Sequence, residues 1–167
     1  MNSENYPDYY KGYIDRIPAG EPNQLLESGL KETLISLAMV SEEKAAESYE
    51  EGKWSIKDVL QHIIDTERIF CFRALSIARG EKEGISGYDH NAYAKRGEAN
   101  QRTLKSLLEE YKRLRASTID LFKSFSSTAY VEEGSANGLK FTPEQIQYII
   151  IGHELHHINV IQQRYLP

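Results

Sequence analysis

The C-terminal stretch Phe141 to Tyr165, FTPEQIQYIIIGHELHHINVIQQRY, constrains the fold more than any other part of the chain. Thr142 before Pro143 is a helix start: a hydroxyl caps free N–H groups, and the proline sits where its missing N–H is not needed. After Pro143 the run has no further proline and one glycine, Gly152, so a helix of about six turns is predicted. Its centre carries His153, His156 and His157. At about 100° per residue, His157 lies roughly 40° round from His153 and His156 about 60° to the other side. Imidazoles at i and i+4 point the same way and can share one metal ion. Such spacing alone occurs often among packed core histidines, but here Ile146, Ile149 and Val160 share the face, so the histidines occupy a core-like stripe. Burying two imidazoles costs free energy unless each finds a partner, and a metal ion would be one.

Upstream, the first twenty residues are rich in tyrosine (Tyr6, Tyr9, Tyr10, Tyr13), too aromatic for a free tail, and are expected to pack as an arm, residues 1–20, over one end of the domain, residues 21–167. Glu21-Pro22 opens a first helix whose Leu26, Leu30, Leu34 and Leu37 recur at three- and four-residue intervals, ending near Val40. A second begins at Ser55, with Asp58 three residues on forming a near capping box, and stops at Gly80. A loop of about twenty residues follows, long enough to let successive helices lie parallel. Thr103 starts a third helix, with Leu104, Leu107, Leu108, Tyr111, Leu114, Ile119 and Phe122 on its apolar side. Asn137-Gly138 reads as a tight turn, with no persuasive strand pair around it. Four amphipathic helices of similar length predict an all-α four-helix bundle.

Composition narrows the function. The 167 residues are 40% apolar, and 20 Lys plus Arg against 25 Asp plus Glu give a net charge of −5. The basic residues are scattered, which argues against a nucleic-acid partner. There is no apolar run of membrane-spanning length and no signal-peptide core, so a cytoplasmic location and no membrane partner are expected. A single cysteine, Cys71, excludes an internal disulfide and a cysteine-based zinc finger.

A catalytic zinc-type site needs three protein ligands, and two histidines remain outside the last helix, His62 and His90. His62 shares a largely apolar helical stripe with Thr66 and Ile69, whereas His90 sits in the long loop and reads as solvated. Trp54-Ser55 opening a helix, His62 eight residues after the tryptophan, and Gly152-His-Glu-Leu-His-His157 in the last helix resemble the DinB-like superfamily. GKWSIKDVLQHIIDTERIFCFRAL, GYDHNAYA and GHELHHINV are similar to its YfiT-like branch, and the resemblance runs from about Leu25 to Leu166. It implies an up-down-down-up bundle and a divalent metal held by three histidines, matching His62, His153 and His157 here. His156 adjoins that set, and its HxxH spacing leaves it as a further possible ligand. The resemblance also implies a homodimer and a small-molecule substrate.

Three imidazoles leave Zn²⁺, Ni²⁺ or Fe²⁺ with free positions, and the sequence does not choose among these ions. Such an ion can polarise a carbonyl, activate water or bind a thiol as thiolate. The expected function is therefore a metal-dependent enzyme, with a thiol-dependent S-transferase acting on a small electrophile placed first and a low-molecular-weight thiol as co-substrate. A hydrolase using metal-bound water and a non-catalytic metal-binding protein are the alternatives. Asp65, about 60° from His62, could orient an imidazole, while Glu67, at about 140°, reads as an ion-pair residue. Cys71, about 180° away, reads as a small buried apolar residue. Arg73 and Arg164 lie roughly 16 Å along their helices from the histidines and are expected at a bundle end. Tyr88 and Asp89 are placed to cover the open side of the metal.

Overall fold

The computed structural model describes residues 2–166. The helix starts are written locally. Ser55 accepts from the Asp58 amide while the Asp58 carboxylate accepts from the Ser55 amide, a capping box that opens a helix over Ile56–Ala78. Thr142 and Gln145 form the same reciprocal cap ahead of Pro143–Arg164. In each, two otherwise orphan donors are satisfied before the first turn closes. Along the described residues the helices are α1 (Asp8–Ile14), α2 (Pro22–Leu37), α3 (Glu42–Ala46), α4 (Ile56–Ala78), α5 (His90–Gly97), α6 (Leu104–Lys123), α7 (Ser127–Tyr130) and α8 (Pro143–Arg164). Among the described residues no helix is long and apolar enough to cross a membrane.

Cross-helix hydrogen bonds fix the directions. Between α4 and α6, Gln61 meets Arg102 just ahead of α6, Glu67 meets Arg115 and Cys71 meets Thr118, so residue numbers rise together and the helices are parallel. Between α4 and α8, the Tyr165 hydroxyl donates to the Trp54 carbonyl while His62 faces His153, so these run antiparallel. Asn23 with Gln147, Thr33 with Glu154 and Ser36 with Gln162 make α2 and α8 parallel. The four long helices therefore run up, down, down, up.

The crossover between the parallel pair is more ordered than a bare loop. Asp89 accepts from the amides of Asn91 and Ala92 and starts α5 inside it. The segment before α8 also departs from the sequence expectation: β1 (Gly134–Ala136) and β2 (Leu139–Phe141) pair antiparallel. Asn137 and Gly138 turn between them with φ of 53° and 74°, the left-handed values that such a two-residue turn requires. Three-residue strands are too short to show alternation in the sequence.

Two apolar clusters fill the bundle. One gathers Leu26, Phe70, Ile77, Phe122, Phe141 and Ile149; the other gathers Leu37, Ile56, Ile64, Leu107, Tyr111 and Ile161. On every long helix the two sets are separated by buried polar residues: Thr33, then Thr66 and Glu67, then Arg115 and Thr118, then His153 and Glu154. The arm packs α1 along α8 rather than capping an end. Tyr6 and Tyr10 are buried, Tyr13 is half-buried and Tyr9 is exposed.

Candidate metal centre

The buried polar layer has two parts. In the first, Arg115, fully buried, donates to both Glu67 oxygens (3.0 and 2.8 Å), to a Glu154 oxygen (2.7 Å) and to the Leu26 carbonyl (2.9 Å). Thr118 and Thr33 donate to the same two carboxylates at 2.6 and 2.7 Å, and the Tyr111 hydroxyl donates to Glu154. Buried charge is tolerable only when paired and hydrogen-bonded in this way. Glu67 is thus the interhelical ion-pair residue its wheel position suggested.

In the second part, α4 contributes His62 and α8 contributes His153 and His157. The His153 Nε2 lies 3.0 Å from that of His62 and 3.1 Å from that of His157. One ligand atom from each residue falls within 4.8 Å of the other two. Burial holds all three imidazoles in the neutral form. His62 is pushed down to about 4 and His157 to about 3, with neighbouring imidazoles adding to the effect, and His153 lies well below the usual histidine range for the same reasons. Neutral imidazoles with converging nitrogens are the protonation state a metal requires. Two nitrogens each about 2.1 Å from one ion stand roughly 3.0 to 3.4 Å apart, depending on the angle between them, so the observed spacing fits a single ion.

A cavity of about 370 Å³ opens beside these nitrogens. Its walls come from five places: Tyr9, Tyr10 and Tyr13 of α1; Trp54 and α4 residues Thr66, Phe70 and Arg73; Tyr88 and His90; Asn137 and Leu139 of the hairpin; and the histidines themselves. The Thr66 hydroxyl is 2.6 Å from that of Tyr88 and 3.4 Å from His62 Nδ1, linking the crossover to the site. The Trp54 ring lies 4.8 Å from that of His62, and the Tyr13 ring 5.7 Å from that of His153, between ring centroids.

Several residues stand elsewhere than their sequence positions suggested. His156 does not join the three-histidine group; its ring lies 5.2 Å from that of Tyr13. Asp65 accepts from Gln61 and faces Arg68, leaving Thr66 as the residue beside the His62 ring. His90, exposed, lines the cavity with its ring centroid 6.0 Å from that of His62. Tyr88 reaches the cavity, while Asp89 serves as the α5 cap. Arg164 is exposed near the end of α8, but Arg73 is buried and lines the cavity rather than a bundle end. A helical side chain leans toward the N-terminus of its helix, and for Arg73 that is the direction of His62. Cys71 turns toward Thr118 on α6, away from the cavity, and burial pushes its thiol up to about 12.

The family model described as the DinB superfamily matches residues 25–161. The chain belongs to the DinB superfamily. Among solved structures, YfiT from Bacillus subtilis superposes with a TM-score of 0.78 at 17% identity, covering 89% of each chain. It is described as a probable metal-dependent hydrolase with an unusual four-helix bundle topology. The mycothiol-dependent maleylpyruvate isomerase superposes with a TM-score of 0.71 at 15% identity, over 87% of this chain and 61% of its own. At these identities the likeness is one of fold. No curated protein matches the chain.

Proposed function

We propose that this member of the DinB superfamily is a metal-dependent enzyme that joins a small thiol to an electrophilic small molecule. His62, His153 and His157 would hold a divalent ion through their Nε2 atoms. Bound there, such an ion supplies Lewis acidity and favours the thiolate form of a thiol at neutral pH. The chain's own residues do the rest. Thr66, fixed by Tyr88, steadies the His62 ring; Trp54, Phe70 and Tyr13 form apolar walls that hold a substrate body and exclude water. In the overall reaction the thiol sulfur forms the new bond, its proton is released and the leaving group departs with its electron pair.

The observation that carries this reading over hydrolysis is the make-up of the cavity: no Asp or Glu lines it among the described residues. In metal hydrolases of the His-Glu-x-x-His type a carboxylate beside the bound water is the general base. Here both buried carboxylates of the polar layer are engaged by Arg115, and His90 is the one further imidazole in the cavity wall among the described residues. Hydrolysis remains the rival reading, favoured by the description of the YfiT fold neighbour.

The test is cobalt substitution followed by titration with low-molecular-weight thiols. The expected result is a new thiolate-to-metal charge-transfer band in the wild type that is absent from His153→Ala. If no cellular thiol produces such a band, the transferase reading falls and the hydrolase takes its place.

A further inference from the structure

The bundle buries two arginines in opposite circumstances. Arg115 is fully buried, and its charge is met by two carboxylates. Arg73 is only 3% exposed, yet among the described residues no carboxylate lies within 4.0 Å of it. Its Nη2 donates to the Ser86 carbonyl at 3.1 Å, and its guanidinium carbon lies 5.5 Å from the centre of the Phe70 ring. Its Nε is buried with no hydrogen-bond partner. A buried cation in that state is costly unless a counter-charge arrives. Arg73 lines two cavities. One is on the crossover side, with Glu81 and Ser86 in its wall. The other opens on the three histidines, and its wall holds no carboxylate among the described residues and includes the Phe70 ring beneath the guanidinium. The second is where an unmet positive charge would draw an anionic ligand.

We infer that Arg73 is a binding site for the carboxylate group of a small substrate. Three features of the site agree. A guanidinium matches a carboxylate in shape and offers paired donors, whereas its present neighbours, the Ser86 carbonyl and the Tyr10 hydroxyl, are neutral. The cavity has no acidic wall, so a divalent ion at three neutral imidazoles would add two further positive charges with nothing to balance them. Between Arg73 and the histidines the walls are aromatic and aliphatic (Phe70, Tyr10, Leu139), suited to an apolar body. The substrate class is therefore a small carboxylic acid whose apolar body runs from Arg73 toward the histidines, with its electrophilic carbon at the histidine end. This rests on the enzymatic reading above for the role of the site, but not for the existence of the anion subsite.

The test uses Trp54, the only tryptophan and a cavity-wall residue, as the reporter. Hexanoate and its neutral isostere hexanamide are titrated by fluorescence and calorimetry into metal-loaded protein and into protein stripped with EDTA, with metal content measured on each sample. Hexanoate should bind at least tenfold more tightly than hexanamide in both samples. Arg73→Gln should erase the preference while leaving hexanamide binding in place, and Arg73→Lys should retain part of it. Equal binding of the two ligands to the wild type, or binding of neither, overturns the proposal even if Arg73→Gln does not fold. A preference that survives in Arg73→Gln but vanishes on stripping places the carboxylate on the metal, which overturns the Arg73 site while supporting the metal centre. A wild type that binds no metal but keeps an Arg73-dependent preference removes the enzymatic reading alone.

Discussion

The carbonyl oxygen of Tyr13 lies against Gly152 so closely that a methyl group on the glycine would stand 2.6 Å from it. This contact lets α1 lie directly on α8 and brings the Tyr13 ring to His153, closing one side of the cavity. It also accounts for a glycine in the middle of a helix, a position where its backbone entropy ordinarily costs about 0.5–1 kcal/mol relative to alanine.

Gly152→Ala should therefore destabilise the protein although alanine is the better helix former. The backbone of Tyr13 cannot yield locally, so the arm must lift, exposing Tyr10 and Ile14, and the loss should be about 2 kcal/mol or more. Gly12→Ala is the opposing case: nothing lies within 4 Å of that position in α1, so the propensity gain of up to about 1 kcal/mol should be realised. Thermal melts of the two variants, moving in opposite directions, check the argument. A Gly152→Ala protein that melts above the wild type would show that the arm is not docked as described.

Single replacement of His62, His153 or His157 by alanine should lower bound metal at least tenfold, measured by elemental analysis after equilibration with Zn²⁺ or Ni²⁺. His90→Ala should keep it, because His90 lines the cavity without joining the three-histidine group. Removal of metal by a chelator should lower the melting temperature of the wild type, since an ion that binds only the folded state stabilises it by mass action. The triple difference of His62, His153 and His157 against His90 is the useful readout; equal metal in all four variants would discard the assignment.

Arg115 bridges Glu67 and Glu154, and its removal leaves two buried carboxylates facing each other across a space with no cation. Arg115→Ala should cost about 3–5 kcal/mol, which for a chain of this size is a fall on the order of 10 °C in melting temperature. Glu67→Gln, which keeps the shape and leaves Glu154 on the arginine, should cost less than half as much. Circular dichroism melts of both variants give the comparison, and a mild Arg115→Ala would mean that water enters the layer.

How much of this was legible in the chain depended on range. The Ser55–Asp58 capping box, the Thr142-Pro143 start and the glycine stop after α4 are local, made by residues within a few positions of each other, whereas the Gln145 half of the second box emerged only from the structure. The three histidines were legible because α4 and α8 each present them on an apolar stripe, so the stripe itself implied burial. Arg73 was misplaced because the axial rise of about 1.5 Å per residue locates Cα atoms and ignores the reach of a side chain that leans back along its helix. The Arg115 network joins all four long helices and leaves no periodic signal. Asp65 failed as a partner to His62 because Gln61 and Arg68 on its own helix compete for its carboxylate. The crossover helix α5 lacks an apolar stripe, its only sequence mark being the Asp89 cap.

The last prediction concerns Cys71, the one thiol of the chain. If the co-substrate thiol is the nucleophile, the protein's own sulfur must be inert. Cys71 is turned to Thr118 at 3.3 Å, and burial raises its pKa from 9.0 to about 12. At pH 8 almost none of it is thiolate, so native protein should resist iodoacetamide while protein unfolded in urea reacts readily, a difference read directly by mass spectrometry. The same shift has a consequence for stability. The folded thiol keeps its proton to higher pH than the unfolded one, so its contribution is fully present below pH about 9 and is lost as pH rises toward about 12. Cys71→Ser removes that titration, and its urea midpoint should fall less than that of the wild type between pH 8 and pH 10.5. Thiol turnover should be nearly unchanged in the same variant. Rapid labelling of the native protein at pH 8, or turnover abolished by Cys71→Ser, would place the protein's own sulfur in the chemistry and displace the external thiol from it.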